Sequence, residues 1–113
     1  MASDRSPRKR AVREYYRALD DHDYEALAGL LTEEFVHDRP DMTLEGRDRF
    51  VRFMREERPM TDTSHPIETV YAAEEGMAAR GRLLAADGRE LAAFVDVFAF
   101  DGADVASIHT YTR

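Results

Sequence analysis

Residues 89–112 read RELAAFVDVFAFDGADVASIHTYT, and they decide the fold. Two runs rich in β-branched and aromatic residues, 89–100 and 105–112, flank the turn signal Asp101-Gly102. That is a hairpin pattern. Working backward, Asp87-Gly88 and Glu75-Gly76 bound two further runs, Met77 to Ala86 and Thr63 to Ala73. Four strands joined by tight turns predict a meander.

The first half has another period. From Pro7, the apolar positions Val12, Tyr15, Tyr16 and Leu19 follow helical spacing, and proline suits a first helical turn. The Asp20-Asp21-His22-Asp23 cluster ends this helix, and Asp23 is placed to cap the next. Tyr24, Leu27, Leu30 and Leu31 form the second helical face. Phe35 to Arg39 reads as a short strand ended by Pro40, and Asp41 to Gly46 as a loop. A third helix runs to about Glu57, turning Phe50, Phe53 and Met54 inward, and Pro59 stops it. Helices followed by a strand meander define an α+β domain.

The length, 113 residues, fits one domain, and 43% hydrophobic residues can build a core. The expected division is a flexible basic tail over 1–10 and a single domain over 11–113. Cysteine is absent, which removes disulfides, thiolate chemistry and cysteine-based zinc sites. The four histidines show no ligand spacing, so no metal and no cofactor are expected. A net charge of −7 argues against nucleic acid as a partner. No segment approaches the roughly 20 apolar residues of a membrane helix. Met1 to Arg10 lacks the apolar stretch of a secretory leader. The expected location is cytoplasmic.

One residue breaks the pattern of the fourth predicted strand. Asp96 stands within Phe94-Val95-Asp96-Val97-Phe98 and shares a strand face with Phe94, Phe98 and Phe100. A carboxylate among phenylalanines is costly unless it is paired, protonated or lining a cavity. A structural pairing with arginine and a working role are both open.

The order of these pieces resembles the SnoaL-like, or nuclear transport factor two-like, superfamily. The resemblance runs from about Arg13 to Thr112. It rests on Tyr15-Tyr16-Arg17-Ala18-Leu19-Asp20, Phe35-Val36-His37-Asp38-Arg39-Pro40, Glu45-Gly46-Arg47 and Phe94-Val95-Asp96-Val97-Phe98. It implies three N-terminal helices in the concave face of a strongly curved, mostly antiparallel sheet, a cystatin-like cone. Ketosteroid isomerases, polyketide cyclases, scytalone dehydratase and limonene epoxide hydrolase share that fold, which hosts many activities. The resemblance also implies a small-molecule ligand in the cone and a homodimer through the outer sheet face, with Val95, Val97, His109 and Tyr111 as contacts. Against the ketosteroid isomerase pattern, Tyr15 corresponds to an oxyanion-hole tyrosine. Asp96 corresponds to the protonated aspartic acid beside it, the carboxylic acid held neutral by an apolar site that serves as a standard example of such tuning. The general base has no counterpart. Its position is nearest Arg39, and Asp38 points to the other strand face.

The residues themselves add candidates. His37 and Arg39 share one face of the first strand, and an imidazole there can exchange protons near neutral pH. Tyr15 lies on the inward arc of the first helix, and His65, before Pro66, is placed at the mouth of the cone. Phe53, Phe94 and Phe98 are core or pocket wall. His22 is expected to be a solvated turn residue. The side taken by Arg80 depends on the Asp87-Gly88 hairpin. A three-residue loop pairs Ala85 with Arg89 and sets Arg80 beside Asp96 on the inner face. A two-residue loop pairs Ala86 with Arg89 and turns Arg80 outward. The three-residue loop is favoured. Asp96, His37 and Tyr15 are therefore the candidate catalytic groups, and Arg39, Arg80, His65, Phe53, Phe94 and Phe98 the candidate substrate contacts. A cofactor-independent isomerase, cyclase, dehydratase or hydrolase competes with a non-catalytic binding module and with an interaction domain whose interior is filled.

Overall fold

A computed structural model describes residues 6–113. Helix α1 (Pro7–Asp20) begins where Ser6 accepts a hydrogen bond from Lys9 N–H at 3.2 Å, with Pro7 in the first turn. Its apolar stripe, Ala11, Val12, Tyr15, Tyr16, Ala18 and Leu19, is buried. Of the expected tail, residues 1–5 lie outside the described residues, and Pro7 to Arg10 form the first turn of α1. Asp23 caps α2 (Tyr24–Gly29) by accepting from Ala26 N–H.

Strand β1 (Leu31–Arg39) is longer than the sequence pattern predicts. The segment expected as a loop contains strand β2 (Met42–Glu45), which pairs with the end of β1. Gly46, at φ 96°, turns the chain into α3 (Arg47–Arg52), a conformation that favours glycine. The helix runs on into a π-helical turn, Phe53–Glu57. The meander follows as β3 (Ile67–Ala72), β4 (Gly76–Leu84), β5 (Glu90–Asp101) and β6 (Asp104–Thr112).

The six strands form one sheet in the order β2-β1-β6-β5-β4-β3. Among the described residues, only the β1–β6 pair is parallel. The helices pack on the concave face of this curved, unclosed sheet. Phe35, Phe50, Phe98, Leu27, Ile108 and Val12 make the fully buried centre.

Hairpin β4–β5 decides which residues line the inside. Its loop takes the three-residue form: Ala85 N–H donates to Arg89 O, and Gly88 has φ 90°. The expected consequence for Arg80 is nevertheless reversed. Leu84 pairs with Glu90 but Leu83 with Ala92, so Leu91 is an extra residue in β5. This bulge shifts every later pair by one. Arg80 lies opposite Val95 and points outward, and Ala79 lies opposite Asp96.

Candidate active site

The cone encloses a cavity of about 450 Å³, within the usual range for small-molecule sites. The inner faces of β5 and β6, the C-terminal half of α1, the end of β1 and the segment after the π turn form its walls. Alternation along β5 brings Phe94, Asp96 and Phe98 inward. Phe94 and Asp96 reach the cavity, whereas Phe98 is sealed in the core beneath Tyr15 and Tyr16. Phe53 is also core, with the Arg39 guanidinium 5.5 Å from its ring centre.

Asp96 is only 6% exposed, and its carboxylate has no arginine partner among the described residues. Two hydroxyls hold it. Tyr16 Oη donates to Oδ2 at 2.5 Å, and Thr110 Oγ1 donates to Oδ1 at 2.5 Å. Thr110 stands directly opposite Asp96 in the β5–β6 register, which explains the contact. Burial pushes the Asp96 carboxyl above the usual range, and these two hydrogen bonds offset part of that rise. Burial and the neighbouring Asp96 charge raise both Tyr15 and Tyr16, so both are neutral phenols.

The chain of contacts continues to His37. Its Nε2 lies 2.8 Å from Thr110 Oγ1, and its Nδ1 is sealed off without a partner. Burial, aided by Arg39, lowers the imidazole to about 4. Two proton arrangements satisfy the row. With Asp96 ionised, Thr110 donates to Asp96 and accepts from His37 Nε2–H. With Asp96 protonated, Asp96 donates to Thr110, which donates to His37 Nε2. His37 and Asp96 thus exchange through one hydroxyl.

Tyr15 is 2% exposed, yet its hydroxyl opens on the cavity and has no hydrogen-bond partner among the described residues. Arg39 lines the cavity but is paired in two-point fashion with Asp41, whose carboxyl it holds low. Asp38 points to the outer face, toward Thr43 and His109. Arg80 contacts Glu68 and Thr69 on the outside and takes no part in the cavity.

Three lining groups escape a reading of the sequence. Tyr16 shares the inward arc with Tyr15, and periodicity cannot say which tyrosine reaches Asp96. Thr110 becomes visible only through register. Arg58 follows the π turn, donates to Tyr24 Oη at 3.0 Å, and has no carboxylate partner among the described residues. Its Nε is buried without a partner. His22 is an exposed turn residue, as expected: it adopts φ 59°, contacts Thr61 O through Nε2 and stacks on Tyr24. Among the described residues no three His, Asp or Glu side chains converge as a metal cluster, and no helix is long and apolar enough to cross a membrane.

This cone, with a polar row set in an apolar wall, defines a class of fold. The sequence profile of the SnoaL-like domain matches residues 12–108, and the chain belongs to that family. No curated protein matches the sequence. Among solved structures, a provisional ketosteroid isomerase from Kribbella flavida superposes with a TM-score of 0.83 at 21% identity, covering 95% of this chain and 78% of its own. An NTF2-like protein of unknown function from Burkholderia pseudomallei gives 0.81 at 21% identity, covering 96% and 92%. A provisional polyketide cyclase from Sinorhizobium meliloti gives 0.79 at 13% identity, covering 89% and 93%. Likeness at these identities shows the fold alone.

Proposed function

We propose that this chain is a cofactor-independent enzyme of the isomerase or cyclase type, acting on a small apolar, carbonyl-bearing metabolite held in the cone. One observation carries the reading: a buried carboxyl with a raised pKa opens on a mainly apolar cavity and is held by hydroxyls rather than neutralised by arginine. A perturbed carboxyl in a cleft, with a stated physical cause, is a candidate working group. In this reading Tyr15 Oη donates to the substrate oxygen, where charge develops. Asp96 holds or supplies a proton beside it, and Thr110 links that proton to His37. Arg58 and Arg39 set the polarity of the entrance, and His65 and Phe94 form the facing wall.

The runner-up is a binding pocket without chemistry. It is favoured by the fact that both Asp96 oxygens already accept hydrogen bonds. One experiment separates the two. Native mass spectrometry identifies co-purified ligand, and a panel of cyclic and β,γ-unsaturated ketones is titrated by calorimetry and followed for turnover. The enzyme reading expects binding by wild type and Asp96→Asn, with turnover slowed roughly 10²–10⁴-fold in the variant. Binding without turnover supports the pocket alone, and no binding overturns both.

Family resemblance further supports a homodimer through the outer sheet face, proposed here with Val95, Val97, His109 and Tyr111 at its centre. A cytoplasmic location remains part of the same proposal.

A further inference from the structure

The β1 wall carries Arg39 and a neutral His37 and offers no free carboxylate to remove a proton from carbon. A different base lines the cavity. Asp20 is the last residue of α1, and His65 precedes β3. Asp20 Oδ2 accepts from the His65 backbone N–H at 2.9 Å, and Oδ1 accepts from His65 Nδ1 at 2.6 Å. These two bonds fix both the backbone and the ring. With its hydrogen on Nδ1, the imidazole presents a lone pair at Nε2.

The surroundings direct that lone pair. The ring lies 5.9 Å from Tyr16 and 5.8 Å from Phe94, centre to centre. His65 lines the same cavity as Tyr15 and Asp96, and its Nε2 has no partner among the described residues and is not sealed off. The cavity wall therefore pairs a bare nitrogen, His65 Nε2, with an unengaged phenol, Tyr15 Oη. Proton removal next to a carbonyl needs that combination, a base for the carbon and a donor for the oxygen.

We propose that His65 Nε2 is the general base of this site, that Asp20 is its positioning residue, and that the substrates are neutral carbon acids with a C–H bond beside a carbonyl. This rests on the enzyme reading above. Nε2 takes the proton, and the C–H electron pair becomes the C=C bond of an enolate. The negative charge settles on the oxygen, which accepts from Tyr15. Where a second C=C bond adjoins that carbon, the enolate is conjugated; the imidazolium returns its proton to the far carbon as the C=O bond re-forms and the C=C bond shifts, so the isomerisation consumes nothing.

The test uses 5-nitrobenzisoxazole, a neutral carbon acid. When a base takes its ring C–H proton, the electron pair forms a nitrile, the N–O bond breaks, and a coloured phenolate leaves. Wild-type protein is expected to turn it over saturably. His65→Gln and His65→Asn are expected to lose roughly 10²–10⁴-fold, the usual reach of a general base. Asp20→Ala is expected to lose at least about tenfold and to shift the nitrogen-15 signals of His65 away from the Nδ1–H tautomer. Arg80→Ala, on the outer face, is expected to match wild type. Wild-type turnover no faster than His65→Gln overturns the proposal. So does a predominant Nε2–H tautomer of His65 in wild type, a readout independent of variant folding. Binding of the compound, measured by equilibrium dialysis, without His65-dependent turnover overturns the base and leaves the pocket standing. Loss of binding itself overturns the pocket.

Discussion

At the scale of single residues, the row Tyr16–Asp96–Thr110–His37 couples stability to pH in two opposite ways. The folded chain keeps His37 neutral down to about pH 4, whereas the free side chain protonates near 6.5. The unfolded chain therefore binds the extra proton between those values, and stability is full above pH 6.5 and falls as pH drops. A shift of that size is worth roughly 3 kcal/mol. Urea melts at pH 7 and pH 4.5 should show this limb in wild type and a flatter one in His37→Gln. Asp96 acts in the other direction. Its raised carboxyl lets the folded chain keep a proton that the unfolded chain releases, so stability falls as pH rises through that window. Asp96→Asn should accordingly compare more favourably with wild type at pH 7 than at pH 3. Thr110→Val removes the shared hydroxyl and strands both Asp96 Oδ1 and His37 Nε2. The expected cost is on the order of 1–3 kcal/mol in the same melts. Asp96 was conspicuous in the sequence because its neighbours are apolar. Its hydroxyl partners were not, because a threonine opposite it and one of two adjacent tyrosines carry no local signal.

At the scale of elements, periodicity located the three helices and the meander, and Gly-containing turns divided the strands. It missed β2, whose four residues after Pro40 and Asp41 look like a loop until β1 pairs with them. The β4–β5 turn was readable from Asp87-Gly88, but the face of Arg80 was not. Turn chemistry fixes register only as far as the next irregularity, and Leu91 supplies one three residues beyond the loop. Gly81 shows a second constraint hidden from patterning. It faces Phe94, and a Cβ there would come 2.6 Å from Pro66 O and 3.1 Å from Phe94 Cζ. Since Arg82 N–H donates to that same Pro66 carbonyl, the segment carrying His65 cannot retreat without losing a bond. Gly81→Ala should destabilise by about 1–3 kcal/mol in a thermal melt. Ligand binding in the cone should weaken with it, whereas Gly29→Ala, where added bulk meets nothing, should not weaken it.

At the scale of the molecule, the change of period midway along the chain is enough to predict an α+β domain, and the family resemblance adds the cone. The outer face of the sheet carries exposed apolar side chains. Across it, Tyr71, Ala78, Val97 and His109 fall in one row of paired residues, and Val95 and Tyr111 in the next. Tyr71, Val97 and Tyr111 are 49%, 42% and 55% exposed. Arg80 and Arg82 pair with Glu68 beside this patch, which gives it an apolar centre and a charged margin. The homodimer proposed above would use this patch, with a two-fold axis that brings Val97 close to its own counterpart. A net charge of −7 on each copy opposes association, so in the proposed dimer the apolar centre would supply the attraction. Light scattering on the 12.9 kDa chain should give twice that mass for wild type. Val97→Arg, which sets like charges against each other across the axis, should give the single mass with an unchanged circular dichroism spectrum. A wild-type monomer at high micromolar concentration, or a Val97→Arg dimer, would show that this face is not the contact.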